Sequence, residues 1–108
     1  MAVIVPTVEA LGNGRLSVVW AGMVPGDTGA WANLKGYRDK TVTVEGTATT
    51  FALQGTNDAD GGNPRTLEDV DASTAITAVG VFVIKENPLL IRPSLTTGSV
   101  TVKIVCDR

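Results

Sequence analysis

Short runs of alternating apolar and polar residues constrain the fold most strongly, because a period of two is typical of a half-buried β-strand and not of a helix. In residues 41–45 and 99–104, every second residue is a valine or an isoleucine. Residues 50–54 alternate in the same way and place Phe51 and Leu53 on one face. Each run therefore predicts a strand that buries one face and exposes the other.

Two further runs are more uniformly apolar. Residues 79–84 are apolar on both faces, which predicts a central strand covered on both sides. Residues 16–23 form a longer strand candidate that contains Trp20, which we expect in the core. A short helix is possible at residues 66–72, although that segment has no apolar stripe.

Turn-forming residues separate these runs at intervals close to the ~8–12 residues expected of a sandwich. They are the Gly-, Asn-, Asp- and Pro-rich segments 12–14, 25–29, 57–64, 87–88 and 96–98. The sequence therefore predicts an all-β fold, an antiparallel β-sandwich of the jelly-roll kind. We expect residues 1–8 to form an N-terminal arm and residues 9–108 to form a single β-sandwich domain, because 108 residues suit one core.

The apolar faces of the clearest strands define the predicted core. Aromatic residues make up only 5% of the chain, so the core must be mainly aliphatic. The residues predicted to be buried are Val42, Val44, Phe51, Leu53, Val81, Val83, Val102 and Ile104. Cys106 is the one cysteine of the chain and is expected to act as a small apolar residue near a strand end.

Charge and hydropathy argue against two classes of partner. The formal net charge is −2, with 9 Lys and Arg against 11 Asp and Glu, and the basic residues are dispersed. Nucleic-acid binding needs a basic face, so we expect none. No segment approaches the ~18 apolar residues of a membrane span, and the N-terminus lacks the basic region of a secretory leader. We therefore expect no membrane partner and synthesis in a reducing cytoplasm.

The residue types also argue against catalysis. The chain has no histidine, so the commonest general base and the commonest transition-metal ligand are both missing. Glu68, Asp69 and Asp71 are close in sequence, but clustered surface acids are usually solvated. We expect no catalytic residue, no metal and no cofactor, and therefore no enzyme.

The loop at residues 57–63 offers alternating oxygen ligands and raises the alternative of a calcium site. An EF-hand loop counted from Asp58 would need a ligand at its fifth position and a bidentate Glu at its twelfth. Those positions hold Gly62 and Asp69. An ordinary turn is the favoured interpretation, since Asn, Asp and Gly are common in turns, and calcium is the alternative.

Several segments resemble a family of small structural proteins of tailed bacteriophages. Residues 46–47, 51–58 and 66–69 resemble its "GT…LQGSND…W.TL.D" pattern, and residues 86–93 resemble its "E.PRYIRP" signature. Trp20, Tyr37 and the loop at residues 26–29 also have counterparts there, so the resemblance runs from Leu16 to the C-terminus. Discoidin-like domains carry a similar turn, but Pro64 and Arg65 replace the aromatic residue that follows it.

The resemblance implies a capsid decoration, or cement, protein that stabilises the assembled shell from outside. It further implies the major capsid protein as partner, a location on the virion capsid surface after synthesis in the host cytoplasm, and a homo-oligomer, dimer or trimer. A tail or baseplate component and a discoidin-like carbohydrate-binding module are the alternatives. The candidate interaction surface combines the apolar arm, one tryptophan and the polar loop: Val3, Ile4, Val5, Trp31, Asn57, Asp58 and Asp60.

Overall fold

The computed structural model describes residues 2–34, 36–47, 51–67, 79–84, 88–95 and 97–108. This part of the chain contains strands and turns, and no helix in it could span a membrane. The strands are β1 (Val3–Ile4), β2 (Thr7–Gly12), β3 (Arg15–Met23), β4 (Thr28–Gly29), β5 (Ala32–Asn33), β6 (Asp39–Thr47), β7 (Phe51–Thr56), β8 (Arg65–Thr66), β9 (Gly80–Ile84), β10 (Leu90–Leu95) and β11 (Ser99–Asp107).

Two sheets pack face to face. The first sheet has the order β1-β4-β10-β7-β8, and β5 also pairs with β10. The second sheet has the order β2-β3-β11-β6-β9, so that β11 is its central strand. Across the interface β3 contacts β4 and β10 contacts β11, which places β1 and β2 along the same side of the sandwich. The predicted all-β sandwich is confirmed, with one parallel pair, β1 with β4.

The core lies between the inner faces of the two sheets, as the alternation predicts. Its buried residues are Val18, Trp20, Met23, Ala32, Leu34, Val42, Val44, Phe51, Leu53, Leu67, Ile84, Ile91, Val100, Val102, Ile104 and Cys106. Six predicted core residues are among them, and the prediction for Trp20 is also confirmed. The Trp20 Nε1–H donates to the carbonyl oxygen of Ala30 at 3.0 Å, which satisfies the buried indole.

The predictions for Val81 and Val83 are wrong. Their exposed fractions are 69% and 48%, because β9 is an edge strand and not a central one. In the pairing with β6, Val81 lies opposite Thr43 and Val83 opposite Thr41, on the outer face. The inward side of β9 contributes Ile84 to the core and packs Phe82 against it.

The helix considered at residues 66–72 falls largely outside the described residues, and Thr66 belongs to β8. The acidic residues Glu68, Asp69 and Asp71 also lie outside them. The same holds for residues 86 and 87 of the bacteriophage-like signature.

Candidate functional site

The N-terminal segment is held against its own chain by one buried carboxylate. Asp27 is only 4% exposed, and its Oδ1 accepts a hydrogen bond from the backbone N–H of Ala2 at 3.0 Å. Its Oδ2 accepts from the backbone N–H of Val24, also at 3.0 Å. Beyond this anchor, Thr28 N–H donates to the Ala2 carbonyl and Ala30 N–H to the Ile4 carbonyl. Sequence analysis missed Asp27, although its place in a Gly-rich turn was a signal.

The anchored segment exposes several apolar side chains. Ile4 packs against the core, whereas Val3 and Val5 are 67% and 78% exposed. Val8 and Leu11 of β2 are exposed as well. Because β1 and β2 border the two sheets on the same side, we call Val3, Val5, Val8 and Leu11 the N-terminal edge. Ile4 therefore belongs to the packing of the domain, and the other two predicted arm residues belong to its surface.

Trp31 lies between β4 and β5 in the chain and is half-buried. The Arg92 guanidinium carbon lies 4.2 Å from the centroid of its ring, a cation–π arrangement. Arg92 and Gln54 are cross-strand neighbours, and the Arg92 Nε–H donates to Gln54 Oε1 at 2.9 Å. A Cβ added to Gly61 would collide with the indole, so the polar loop also lies against Trp31. Arg92 therefore occupies one face of the ring and the loop meets the indole, while part of Trp31 stays exposed to solvent.

In the polar loop at residues 57–63, side chains accept hydrogen bonds from other groups of the same loop. Asp58 Oδ2 accepts from the Asn63 amide at 2.6 Å, and Asp60 Oδ1 accepts from Gly62 N–H at 2.9 Å. Asn57 Oδ1 accepts from the backbone N–H of Leu89 at 3.2 Å, which fastens the loop to the start of β10. These oxygens act as turn acceptors. Within the described ranges, no group of three or more Asp, Glu or Cys residues could hold a metal.

An open cleft of about 460 Å³ lies beside the loop, and Trp31 is not among the residues that line it. Its lining includes the polar side chains of Asn57, Asp58, Asn63 and Arg65. Apolar Leu67 and Pro88 contribute to the same cleft. A few polar groups on a partly apolar surface suit a sugar ring or a protruding side chain of a partner.

A lysine and a cysteine are buried together at one end of the core. Lys40 on β6 lies opposite Cys106 on β11, and each is 1% exposed. The Lys40 Nζ donates to the Arg38 carbonyl at 3.4 Å, and the Cys106 thiol to the Leu16 carbonyl at 3.5 Å. Burial lowers the pKa of Lys40 and raises the pKa of Cys106. Sequence analysis missed Lys40, although it continues the alternation of Val42 and Val44.

Comparison with known proteins bears on the fold alone. No protein-family model and no curated protein matches the chain. The SPBc2 prophage-derived protein YomS superposes with a TM-score of 0.65 at 13% identity, over 93% of this chain and all of that one. A cupin domain from Bordetella pertussis Tohama I superposes with a TM-score of 0.54 at 17% identity, over 97% and 94% of the two chains. The chain therefore has an all-β, jelly-roll-like sandwich fold that a prophage-derived protein and a cupin domain share.

Proposed function

We propose that the chain is a non-enzymatic virion structural protein that binds the assembled capsid shell and stabilises it as a decoration protein. The observation that carries this proposal is the N-terminal edge, where Val3, Val5, Val8 and Leu11 are exposed on one side of the sandwich. Exposed apolar residues that are grouped in this way mark interaction surfaces more often than scattered ones do.

The edge is suited to binding because it is already ordered. The hydrogen bonds of Ala2 to Asp27 and of Thr28 to Ala2 fix the backbone that carries Val3. A preformed surface loses little conformational entropy on association, so more of the apolar burial remains as affinity. A cement protein needs this property, since it must brace neighbouring shell subunits without chemistry of its own.

YomS is prophage-derived, which supports a bacteriophage setting for this chain. The likeness between the two proteins is one of fold. In this proposal the partner is the major capsid protein, the location is the capsid surface, and the chain acts as a homo-oligomer. The proposal that it is not an enzyme rests on its residue types, in particular the absence of histidine. The cupin likeness concerns the fold and assigns no activity.

The test uses shells from the phage that encodes the chain, prepared without it. We expect the wild-type protein to co-sediment with these shells and to raise their thermal stability. Val5→Asp and Val8→Asp each place a charge on the N-terminal edge and should reduce binding at least tenfold, or by about 1.4 kcal/mol. Ser99→Asp adds the same charge at an exposed position on β11 and is the matched control.

Wild-type protein that stays in the supernatant would refute the capsid proposal. If the protein sediments with purified tails instead, it is a tail or baseplate component.

The cleft beside the polar loop favours a second candidate, a carbohydrate-binding module. Asn57, Asp58, Asn63 and Arg65 offer hydrogen-bonding groups of the kind that recognise sugar hydroxyls. A glycan array is the direct test. Specific binding that Arg65→Ala abolishes, with shell binding absent, would replace the capsid proposal by this one.

A further inference from the structure

Within the residues that the structure describes, β9 shows none of the features that usually protect an edge strand. In the described part of the chain it pairs with β6 on one side and has no strand on the other. Its five residues, Gly80–Ile84, include no charge and no proline. The pairing with β6 is regular throughout, without a bulge. Such an edge offers free backbone donors and acceptors to another strand, a liability that proteins normally suppress.

The other edge strands of the described sheets are protected. β1, β5 and β8 have two residues each, and β8 carries Arg65. β2 carries Glu9, and its pairing with β3 shifts register between Ala10 and Gly12. Short length, charge and irregularity are the common means of preventing edge-to-edge association. Among the edge strands of the described residues, β9 is therefore the one that is suited to pairing with another strand.

We propose that β9 pairs antiparallel with β9 of a second copy, about a two-fold axis at Phe82, and that the chain is a dimer. The sequence of the strand is symmetric about Phe82, with one valine on each side. Two-fold pairing therefore places Val81 of each copy opposite Val83 of the other copy. The two Phe82 residues then lie opposite each other on the axis. Each exposed valine gains an apolar cross-strand neighbour, and no charges meet.

The direction of the strands favours this isologous contact over a head-to-tail one. All neighbours in the second sheet are antiparallel, so β2 and β9 run in the same direction. A head-to-tail contact of β9 with β2 of a second copy would be parallel, the weaker pairing, and would include Glu9. The two-fold contact instead joins two five-stranded sheets into one continuous antiparallel sheet.

The test of the dimer uses the purified protein without capsid shells. A negative result would therefore refute the dimer without bearing on the proposed binding to shells. At about 100 μM, where a Kd of ~10 μM gives mostly dimer, light scattering should give about twice the 11.2 kDa chain mass. The single variants Val81→Lys and Val83→Glu each place a charged residue opposite a valine in both Val81–Val83 pairs of the dimer interface. Each should raise the Kd at least tenfold. Val24→Lys, at another exposed valine, should leave the dimer intact.

The double variant Val81→Lys/Val83→Glu tests the register. Pairing about Phe82 sets each lysine opposite a glutamate of the second copy, so the double variant should recover most of the dimer that either single variant loses. Val81→Lys/Val83→Lys should remain monomeric. A monomeric wild type, a Val81→Lys protein that dimerises as tightly as the wild type, or a double variant without recovery would each overturn the proposal.

Discussion

Replacing Asp27 by alanine should detach the N-terminal segment and destabilise the fold. Asp27 accepts hydrogen bonds from the N–H groups of Ala2 and Val24, and hydrogen bonds to charged groups contribute ~1.5–3 kcal/mol each. The Ala2 group can turn to water once it is released, so its loss costs less than that of Val24. We expect Asp27→Ala to lower the free energy of unfolding by about 2–4 kcal/mol.

Asp27→Asn gives a sharper version of this experiment. An amide keeps one acceptor oxygen but points an NH₂ donor at the second backbone N–H, so it should cost nearly as much as alanine. In protein lacking residues 2–4, the Ala2 bond is already gone, and Asp27→Ala should cost only about 1–2 kcal/mol.

Urea unfolding followed by fluorescence measures these values. Hydrogen exchange at the Thr28 and Ala30 amides, which bond to the N-terminal segment, should accelerate in the variants before global unfolding. A loss for Asp27→Ala within about 0.5 kcal/mol, typical of surface changes, would refute the anchoring role.

Three further predictions concern the core and the loop. Phe51→Ala should lower the free energy of unfolding by about 3–5 kcal/mol, since Phe51 is a fully enclosed ring, and chemical denaturation checks this value. Lys40→Met should raise the melting temperature at neutral pH, because burial lowers the pKa of Lys40 and the folded state disfavours its charged form. That advantage should shrink as the pH rises towards the ordinary lysine value of 10.5; an unchanged or lower melting temperature at pH 7 would contradict it. Gly61→Ala should destabilise the protein and alter Trp31 fluorescence, because Gly61 has φ +83° and abuts the indole, whereas a spectrum identical to the wild type would show that the loop does not touch Trp31.

Most of what could be predicted of the fold came from the alternation of apolar and polar residues. In residues 41–45 and 99–104, polar residues separate the apolar ones, so the inner face is unambiguous and Val42 and Val102 were placed correctly. The run at residues 79–84 has no polar residue to mark the outer face. An apolar strand at an edge and one at the centre look the same in a single sequence, and only pairing with β6 distinguishes them.

The surroundings of the candidate interaction surface were harder to predict, because its contacts join distant parts of the chain. Val3 and Val5 could be identified as apolar residues of the N-terminal arm, but the anchor of that arm, Asp27, lies 25 residues from Ala2. Asn57 fastens the polar loop to Leu89, 32 residues away. Nothing local indicates that Arg92 would cover Trp31, since that contact arises only when β10 is placed beside β5 and β7.

The central position of β11 has a consequence for how the protein is made. β11 lies between β3 and β6, so strands at residues 15–23 and 39–47 are joined through residues 99–107. During synthesis, the β2–β3 hairpin and β6 therefore cannot be joined in one sheet until residues 99–107 have been added to the chain. Such long-range closure gives slow folding, on the order of milliseconds to seconds. Until then the apolar residues of β3 lack the partner strand β11, which favours aggregation of the incomplete chain.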